Sequence, residues 1–220
     1  MTFRSQNWEH WQITDQLRSI GVEFVYHWTP ADGLASILRD GILSRSTLEY
    51  RRIQHQPHNY GSAEKEAFLR NFVALSFKPK PLMMDEWRHQ DPVVIAIDTD
   101  ILATEGTLFV AGNTADRRVS LDQLRTSRGQ GALGELLGHR GLAGQSEAWV
   151  PWRVPSESIR SLHVPNEAIE ATVRSQISGG SSGTLQTPVV VAHDMFLSPG
   201  FAEIYRRLRD ADADVEDLPF

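Results

Sequence analysis

The apolar positions of this chain change period several times, and those changes divide it into short helices and strands. From Asn7 to Ile20, Trp8, Trp11, Leu17 and Ile20 recur at roughly helical spacing, which predicts a helix with one apolar face. Val22 to His27 reads as a strand. The segment Thr29-Pro30-Ala31-Asp32 then reads as a helix start. Thr29 suits the N-cap, Pro30 the first helical position, and Asp32 the positive end of the helix. Leu34, Ile37 and Leu38 supply the apolar stripe, and Asp40-Gly41 ends the helix, with the glycine as a left-handed cap. Ile42-Leu43 is a short strand or turn. Ser44 to Tyr60 has no apolar period and is rich in Arg, His, Gln and Asn, so it predicts a long loop. Long loops inside compact domains are commonly functional.

Ala63 to Asn71 predicts a short helix, and Phe72 to Phe77 alternates as a strand. Pro92 to Asp98 is almost wholly apolar and predicts a central strand. Thr107 to Val110 is another strand, running into the turn Ala111-Gly112-Asn113. Leu121 to Leu137 predicts a helix broken around Gly129 and Gly131. Ser146 to Trp152, Ser158 to Val164 and Thr187 to His193 predict three more strands, with a flexible Ser/Gly linker over Ser178 to Gly183. Phe201 to Leu208 predicts a terminal helix ahead of an acidic tail. Strict β-α-β alternation is absent, so the expected class is α+β with a mixed, mostly antiparallel sheet and short flanking helices. Residues 1–197 are expected to form one domain, with an N-terminal helix over 1–20, and residues 198–220 a C-terminal helix and acidic tail.

Composition narrows the setting. At 220 residues, 40% hydrophobic and 23% charged, the chain has ordinary globular composition. It has no cysteine, which excludes thiol catalysis and Cys-based zinc sites and fits a cytoplasmic protein. The first residues carry no apolar signal-like run, and no apolar stretch approaches the roughly 18 residues that span a bilayer. A soluble, cytoplasmic protein without a membrane partner is expected. The net charge of -6 argues against nucleic acid as a partner of the whole surface, but the charge is uneven. Glu203 to Asp217 holds six acidic and three basic residues, whereas Arg117 to Arg140 holds five Arg against Asp122 and Glu135. Arg45 to His58 carries three Arg against Glu49. Phosphate-facing patches on an acidic protein and solvated loops both fit this pattern. Trp8 and Trp11 likewise suit either packing or base stacking.

Polar residues in apolar strands are the candidates for chemistry. Glu147 sits in Ser146-Glu147-Ala148-Trp149-Val150, where a carboxylate needs a function or a buried partner. Gln145 lies two residues earlier and shares its face if the strand is regular. His27 ends a strand just before a helix start, where free N–H groups suit anions. Asn113 serves either catalysis or a left-handed turn. No G-x-G-x-x-G or P-loop is present, so a Rossmann or Walker-type site is unsupported.

These candidates fall within a longer pattern. Tyr26-His27-Trp28-Thr29, then Gly33-Leu34-x-x-Ile37-Leu38 and Gly41-Ile42-Leu43, resembles the opening of DarT-type DNA ADP-ribosyltransferases. Phe72-Val-Ala-Leu-Ser-Phe-Lys-Pro79 with Pro81-Leu82-Met83 is similar to that family's next strand and proline-rich turn. Thr107 to Ala115 is similar to its strand leading into a Gly-Asn turn. Gln145-Ser-Glu147 resembles its Q-x-E element, and Pro188 to Phe196 its closing strand. The resemblance runs from about Val25 to Phe196 with the elements in order. The basic loop before Phe72 differs in length and offers both Arg51 and Arg52, and the tail beyond Leu197 has no counterpart.

The resemblance implies an ADP-ribosyltransferase-like fold and NAD as co-substrate, with no metal. Breaking the nicotinamide–ribose bond builds oxocarbenium character on the sugar, as in glycoside hydrolysis. A carboxylate beside the ribose stabilises that charge and can take a proton from the nucleophile. Glu147 is the implied catalytic carboxylate. His27, Trp28 and Thr29 are implied in cofactor binding, with His27 and Thr29 hydrogen-bonding ribose and amide, and Ser36 and Ser44 lining the site. Arg51 is implied both in catalysis and at the cofactor, pairing with pyrophosphate or meeting the recipient base. Phe77 and Trp149 either stack on nicotinamide or belong to the core. The implied acceptor is a base in single-stranded DNA, in a toxin–antitoxin or phage-defence setting, with an antitoxin or ADP-ribosylglycohydrolase as partner. RNA or protein as acceptor, and a non-catalytic nucleotide- or nucleic-acid-binding module of the same fold, are the alternatives.

Overall fold

The computed structural model describes residues 5–55, 60–79, 91–138, 146–178 and 187–196, with side chains described from Gln12 onward. Helices are α1 (Ser5–Ser19), α2 (Leu34–Asp40), α3 (Arg45–Tyr50), α4 (Ala63–Leu69), α5 (Leu121–Thr126), α6 (Gly129–Gly138) and α7 (Glu167–Ser178). Strands are β1 (Phe24–Pro30), β2 (Ile42–Leu43), β3 (Phe72–Ser76), β4 (Pro92–Asp98), β5 (Leu108–Val110), β6 (Glu147–Pro151), β7 (Arg153–Val154), β8 (Ile159–Val164) and β9 (Val189–Val191). The chain forms two compact units and passes between them within β1, α2, β4 and β8 and between Lys78 and Pro79 after β3. The Pro81-Leu82-Met83 turn, Gln145, the Ser/Gly linker beyond Ser178 and the terminal helix and tail lie outside the described residues.

The first unit comprises residues 1–27, 36–78 and 96–160. Its strands β5, β6, β3 and β1 lie side by side in that order, each antiparallel to the next. Val73, Leu75, Ala148 and Val150 are buried, so the middle of this sheet is closed to water. One apolar cluster joins Tyr60, Leu69, Leu108, Val110, Leu124 and Trp149, with Phe68 and Phe72 packed against it. Helix α1 packs on the 3-10 turn Thr99–Ala103 through Ile13 and Leu17, and Thr14 Oγ1 donates to Asp100 Oδ1 at 3.2 Å. Ile20, expected on the apolar stripe, is 49% exposed because the helix has ended at Ser19. The short pair β2–β7 sets Ile42 against Val154.

The second unit comprises residues 28–35, 79–95 and 161–220. In it β8 and β9 pair in parallel, Leu162 opposite Val189, and α7 packs on β9 and on the turn Ala31–Gly33. Asn166 Oδ1 accepts from Ile169 N at 3.0 Å, and Glu167 and Glu170 sit in the first turn, favourable at a helix N-terminus.

The fold is mixed α and β with a mostly antiparallel sheet, as the strand pattern implies. Three local readings differ. Strand β1 runs on to Pro30, so Thr29 is extended and not an N-cap; a 3-10 turn at Ala31–Gly33 precedes α2, and its cap Pro30 makes no side-chain cap bond. Ser44 to Tyr60 is not all loop, because Arg45–Tyr50 is helical, with Ser44 as N-cap. The broken helix does form as α5 and α6, and the break falls at Ser127-Arg128 with Gly129 at φ +69°.

Gly41 follows α2 at φ +80°, and a Cβ there would collide with the Val154 carbonyl oxygen. A left-handed backbone costs a non-glycine residue roughly 1–2 kcal/mol, and the collision adds to it. Gly41→Ala should therefore lower unfolding free energy by about 2 kcal/mol or more in urea titration. An unchanged midpoint would show that this turn yields without cost.

Candidate active site

Glu147 is the first residue of β6 and is only 5% exposed. Register places it between Val110 of β5 and Ser76 of β3, and Ser76 in turn faces Tyr26 of β1. A carboxylate so far from water costs several kcal/mol unless donors replace its hydration. Three donors converge on Oε2: Thr114 N at 3.1 Å, Thr114 Oγ1 at 2.8 Å and Trp149 Nε1 at 3.2 Å. Each hydrogen bond to a charged group contributes about 1.5–3 kcal/mol, so together they match the burial cost. Trp149 can donate because residues two apart in a strand share a face.

Thr114 lies in the turn Asn113–Asp116, which is held from several directions. Asn113 Oδ1 accepts from Ala115 N at 2.8 Å, and Asn113 O accepts from Asp116 N at 2.9 Å. Asn113 does not adopt positive φ; it stabilises the turn with its side chain instead. Lys65 of α4 is 6% exposed and donates through Nζ to Thr114 O and Asp116 O, both at 2.8 Å. Gly61 packs so closely that a Cβ would stand 2.6 Å from Ala115 O.

His27 follows Tyr26 in β1, and its Nδ1 lies 3.0 Å from Ala74 O. A carbonyl can only accept, so Nδ1 carries the proton and the neutral ring has Nε2 as its acceptor. Because Tyr26, Ser76 and Glu147 form one cross-strand row, His27 and Glu147 are brought to the same part of the first unit, with β3 between their strands. Ser44 is buried at the start of α3 and accepts from Thr47 N at 3.4 Å, so it has a structural task as N-cap. Ser36 is half-buried on α2. Arg51 is the exposed C-cap of α3, with helical backbone, while Arg52 is exposed at φ 57°. Helix α3 is fastened to α4 by Arg45–Glu66 at 2.7 Å and by Arg70–Glu49, which fixes the base from which Arg51 projects. Arg45 also stands 5.8 Å from the Tyr60 ring centre, and Tyr60 packs at 6.0 Å on Trp149.

Trp28 and Thr29 belong to the second unit. Trp28 is buried edge-on to Phe196 at 5.3 Å, and Thr29 Oγ1 donates to Pro30 O at 3.3 Å. Phe77 and Trp149 are buried in the core, Trp149 at 1% exposure. Among the described residues no group of three His, Cys, Asp or Glu is placed to hold a metal ion. An open cavity of about 700 Å³ borders the Asn113–Asp116 turn on the side of Phe109, Val119 and Gln123. Val110, the strand partner of Glu147, lines that cavity, whereas Glu147 itself does not. Thr114 and Lys65 were not among the residues the sequence singled out. Thr114 lies inside the Thr107–Ala115 segment that carried part of the resemblance, whereas Lys65 gives no local signal.

The fold is that of known ADP-ribosyltransferases. Thermosipho africanus DarTG in complex with ADP-ribose superposes with TM-score 0.60 at 18% identity, over 80% of this chain and 52% of that one. Thermus sp. 2.9 DarT in complex with NAD+ superposes with TM-score 0.59 at 14% identity, over 80% of this chain and 98% of that one. The same Thermus protein in complex with ADP-ribosylated ssDNA gives TM-score 0.57 at 14% identity, over 80% and 97% of the two chains. This chain thus spans about half the length of the Thermosipho chain and nearly all of the Thermus one. No curated protein sequence matches it. Residues 26–197 match the model of the family described as ssDNA thymidine ADP-ribosyltransferase, DarT, and the chain belongs to that family.

The turn that holds Glu147 also carries a titration marker. Arg118 donates to the Asp116 carboxylate from Nη2 at 2.6 Å and from its backbone N at 2.9 Å. The guanidinium bond, then the backbone bond, hold the Asp116 carboxyl down at about 2, from an ordinary 3.8. A carboxyl depressed on folding contributes stability that is present above its unfolded value and lost as pH falls through the folded one. Side-chain NMR should therefore show Asp116 titrating near pH 2, with the turn's contribution fading between pH 4 and 2. In Arg118→Ala the midpoint should return toward the ordinary range; a midpoint near 4 in the unaltered protein would exclude this pairing in solution.

Proposed function

We propose that this chain transfers ADP-ribose from NAD to thymidine in single-stranded DNA, with Glu147 as its catalytic carboxylate. The observation that carries the reading is a buried carboxylate held by Thr114 and Trp149 donors, in the Gln145-Ser146-Glu147 segment that resembles the family's Q-x-E element. Donors fixed before the reaction need no reorganisation as charge develops, which is the condition for electrostatic stabilisation of a cationic sugar. In the proposed step the nicotinamide–ribose bond breaks and nicotinamide leaves as the neutral amide. The sugar carbon bonds to the thymine ring nitrogen. N1 of thymidine already carries its sugar, so N3 is the ring N–H available, and its proton passes to Glu147. A base in single-stranded DNA presents that edge without an unpairing cost.

His27, whose ring is oriented by the Nδ1 bond to Ala74 O, is assigned on the resemblance to a ribose hydroxyl or the amide of the co-substrate. Arg51 supports the pyrophosphate from the exposed end of α3, where its guanidinium can turn toward phosphate oxygens. Ser36 and Ser44 are assigned to the cofactor's surroundings, Ser44 alongside its capping task. Trp28 and Thr29 are assigned to cofactor binding on the resemblance alone. Residues 1–197 are taken as the ADP-ribosyltransferase domain. No helix among the described residues is long and apolar enough to cross a membrane. We place the chain in the cytoplasm as a toxin or phage-defence effector, countered by an antitoxin or ADP-ribosylglycohydrolase.

Labelled NAD offered with single-stranded DNA, duplex DNA, RNA and protein separates the readings. Label should enter thymidine-containing single strands and be lost in Glu147→Gln at unchanged melting temperature. Label in RNA or protein would redirect the acceptor, and neither label nor released nicotinamide would leave a binding module. Arg51→Ala should lower transfer about tenfold or more, as loss of a charge-assisted phosphate contact does, with Arg52→Ala near the unaltered rate. The reverse order would assign the function to Arg52.

A further inference from the structure

Lys65 is a buried cation in the first turn of a helix only seven residues long. Lysine is rarely buried so deeply unless its ammonium is satisfied, and here it is satisfied by two backbone carbonyls of one turn. One of those carbonyls belongs to Thr114, the residue whose N–H and hydroxyl both donate to Glu147, and the other to Asp116 two residues on. The grip begins in the helix start. Ser62 Oγ accepts from Lys65 N at 3.3 Å, Gly61 takes φ +80°, and the close approach of Gly61 to Ala115 O leaves no room for a side chain. The 61–65 segment thus meets the Asn113–Asp116 turn at three successive residues, Thr114, Ala115 and Asp116.

We infer that Lys65 is a positioning residue for Glu147: its ammonium fixes the Asn113–Asp116 turn so that Thr114 N–H and Oγ–H hold the carboxylate. The inference rests on the reading of Glu147 as the catalytic carboxylate. Two carbonyls at 2.8 Å from one Nζ define the separation of residues 114 and 116, and with it the direction of Thr114's two donors. Without the ammonium Thr114 O loses its bond to Lys65 and Asp116 O is held by Val119 N alone, at 3.1 Å, so the tie between residues 114 and 116 is gone and the turn is freer to shift. The carboxylate then keeps Trp149 Nε1 but loses the fixed pair from Thr114. Lys65 touches neither NAD nor DNA in this scheme; it acts on the rate through the turn.

The test measures steady-state transfer from labelled NAD to a thymidine-containing single strand, with thermal denaturation as the check on folding. Thr114→Val should lower kcat about tenfold to hundredfold, and Thr114→Ser, which keeps the hydroxyl, should restore most of it. Lys65→Met should lower kcat comparably, with KM for NAD within about twofold. In the Thr114→Val background Lys65→Met should cost little more, because its effect passes through the residue already altered. Should Lys65→Met fail to fold, Lys65→Gln carries the same comparison. Multiplicative losses in the double variant, a raised KM at unchanged kcat, or higher activity in Thr114→Val would each overturn the inference. Full activity of Glu147→Gln would overturn the underlying assignment of the carboxylate. An inactive Glu147→Gln beside a fully active Lys65→Met would overturn only the positioning role.

Discussion

A carboxylate at the head of a buried strand sets the conditions that the rest of the first unit meets. Strand β6 continues from Glu147 into Ala148, Trp149 and Val150, all buried, so the acid is largely shielded from bulk water. Donors must come from the protein, and they come from two places. Trp149, next on the same face, turns its indole N–H back to Oε2. The turn after β5 supplies the rest, since β5 pairs with β6 through Val110 opposite Glu147 and delivers Thr114 four residues later. The strand pairing therefore determines where the donors arrive.

The same requirement extends outward to the helices. Trp149 is held against Tyr60, Tyr60 lies by the Arg45 guanidinium, and Arg45 is paired with Glu49 and Glu66. Helix α3 is thus anchored to the scaffold that steadies the indole. Its first residue follows the Ser44 cap, and its last turn ends at Arg51. A six-residue helix is too short to hold itself together in water, and here caps and ion pairs on partly exposed side chains assist tertiary packing. The Arg51 guanidinium projects from an anchored base while remaining exposed.

Much of this was legible in the sequence where a residue type clashed with its surroundings. Glu147 stood out as an acid inside an apolar strand, and the strands themselves followed from alternation or continuous apolar runs such as Val93 to Ile97. Helix α3 was not legible, because Arg45–Tyr50 has one strong apolar residue, Leu48, and a polar neighbourhood that reads as loop. Helix α7 was legible but not read: Ile169, Val173 and Ile177 recur at i, i+4 and i+8, although only Val173 is buried. Thr29 and Pro30 looked like a helix start by residue type, but continuation of β1 took precedence over that local preference. Lys65 was invisible for a deeper reason: its partners are backbone carbonyls 49 and 51 residues away, and carbonyls have no signature in sequence.

The two charged candidates of the first unit therefore stand in opposite regimes. Glu147 is enclosed and held by three fixed donors, which suits a group whose task is to be in place before a cationic sugar forms. Arg51 is solvated, and pairing it with a diphosphate would involve little protein desolvation beforehand. Under the proposed function, binding the co-substrate and stabilising its scission would depend on separate parts of one scaffold. That separation gives physical meaning to the contrast between losing a guanidinium at the end of α3 and losing a donor in the Asn113–Asp116 turn. The first weakens a contact that forms with the ligand. The second disturbs geometry that exists without it, and so reaches the rate while leaving the affinity for NAD largely intact.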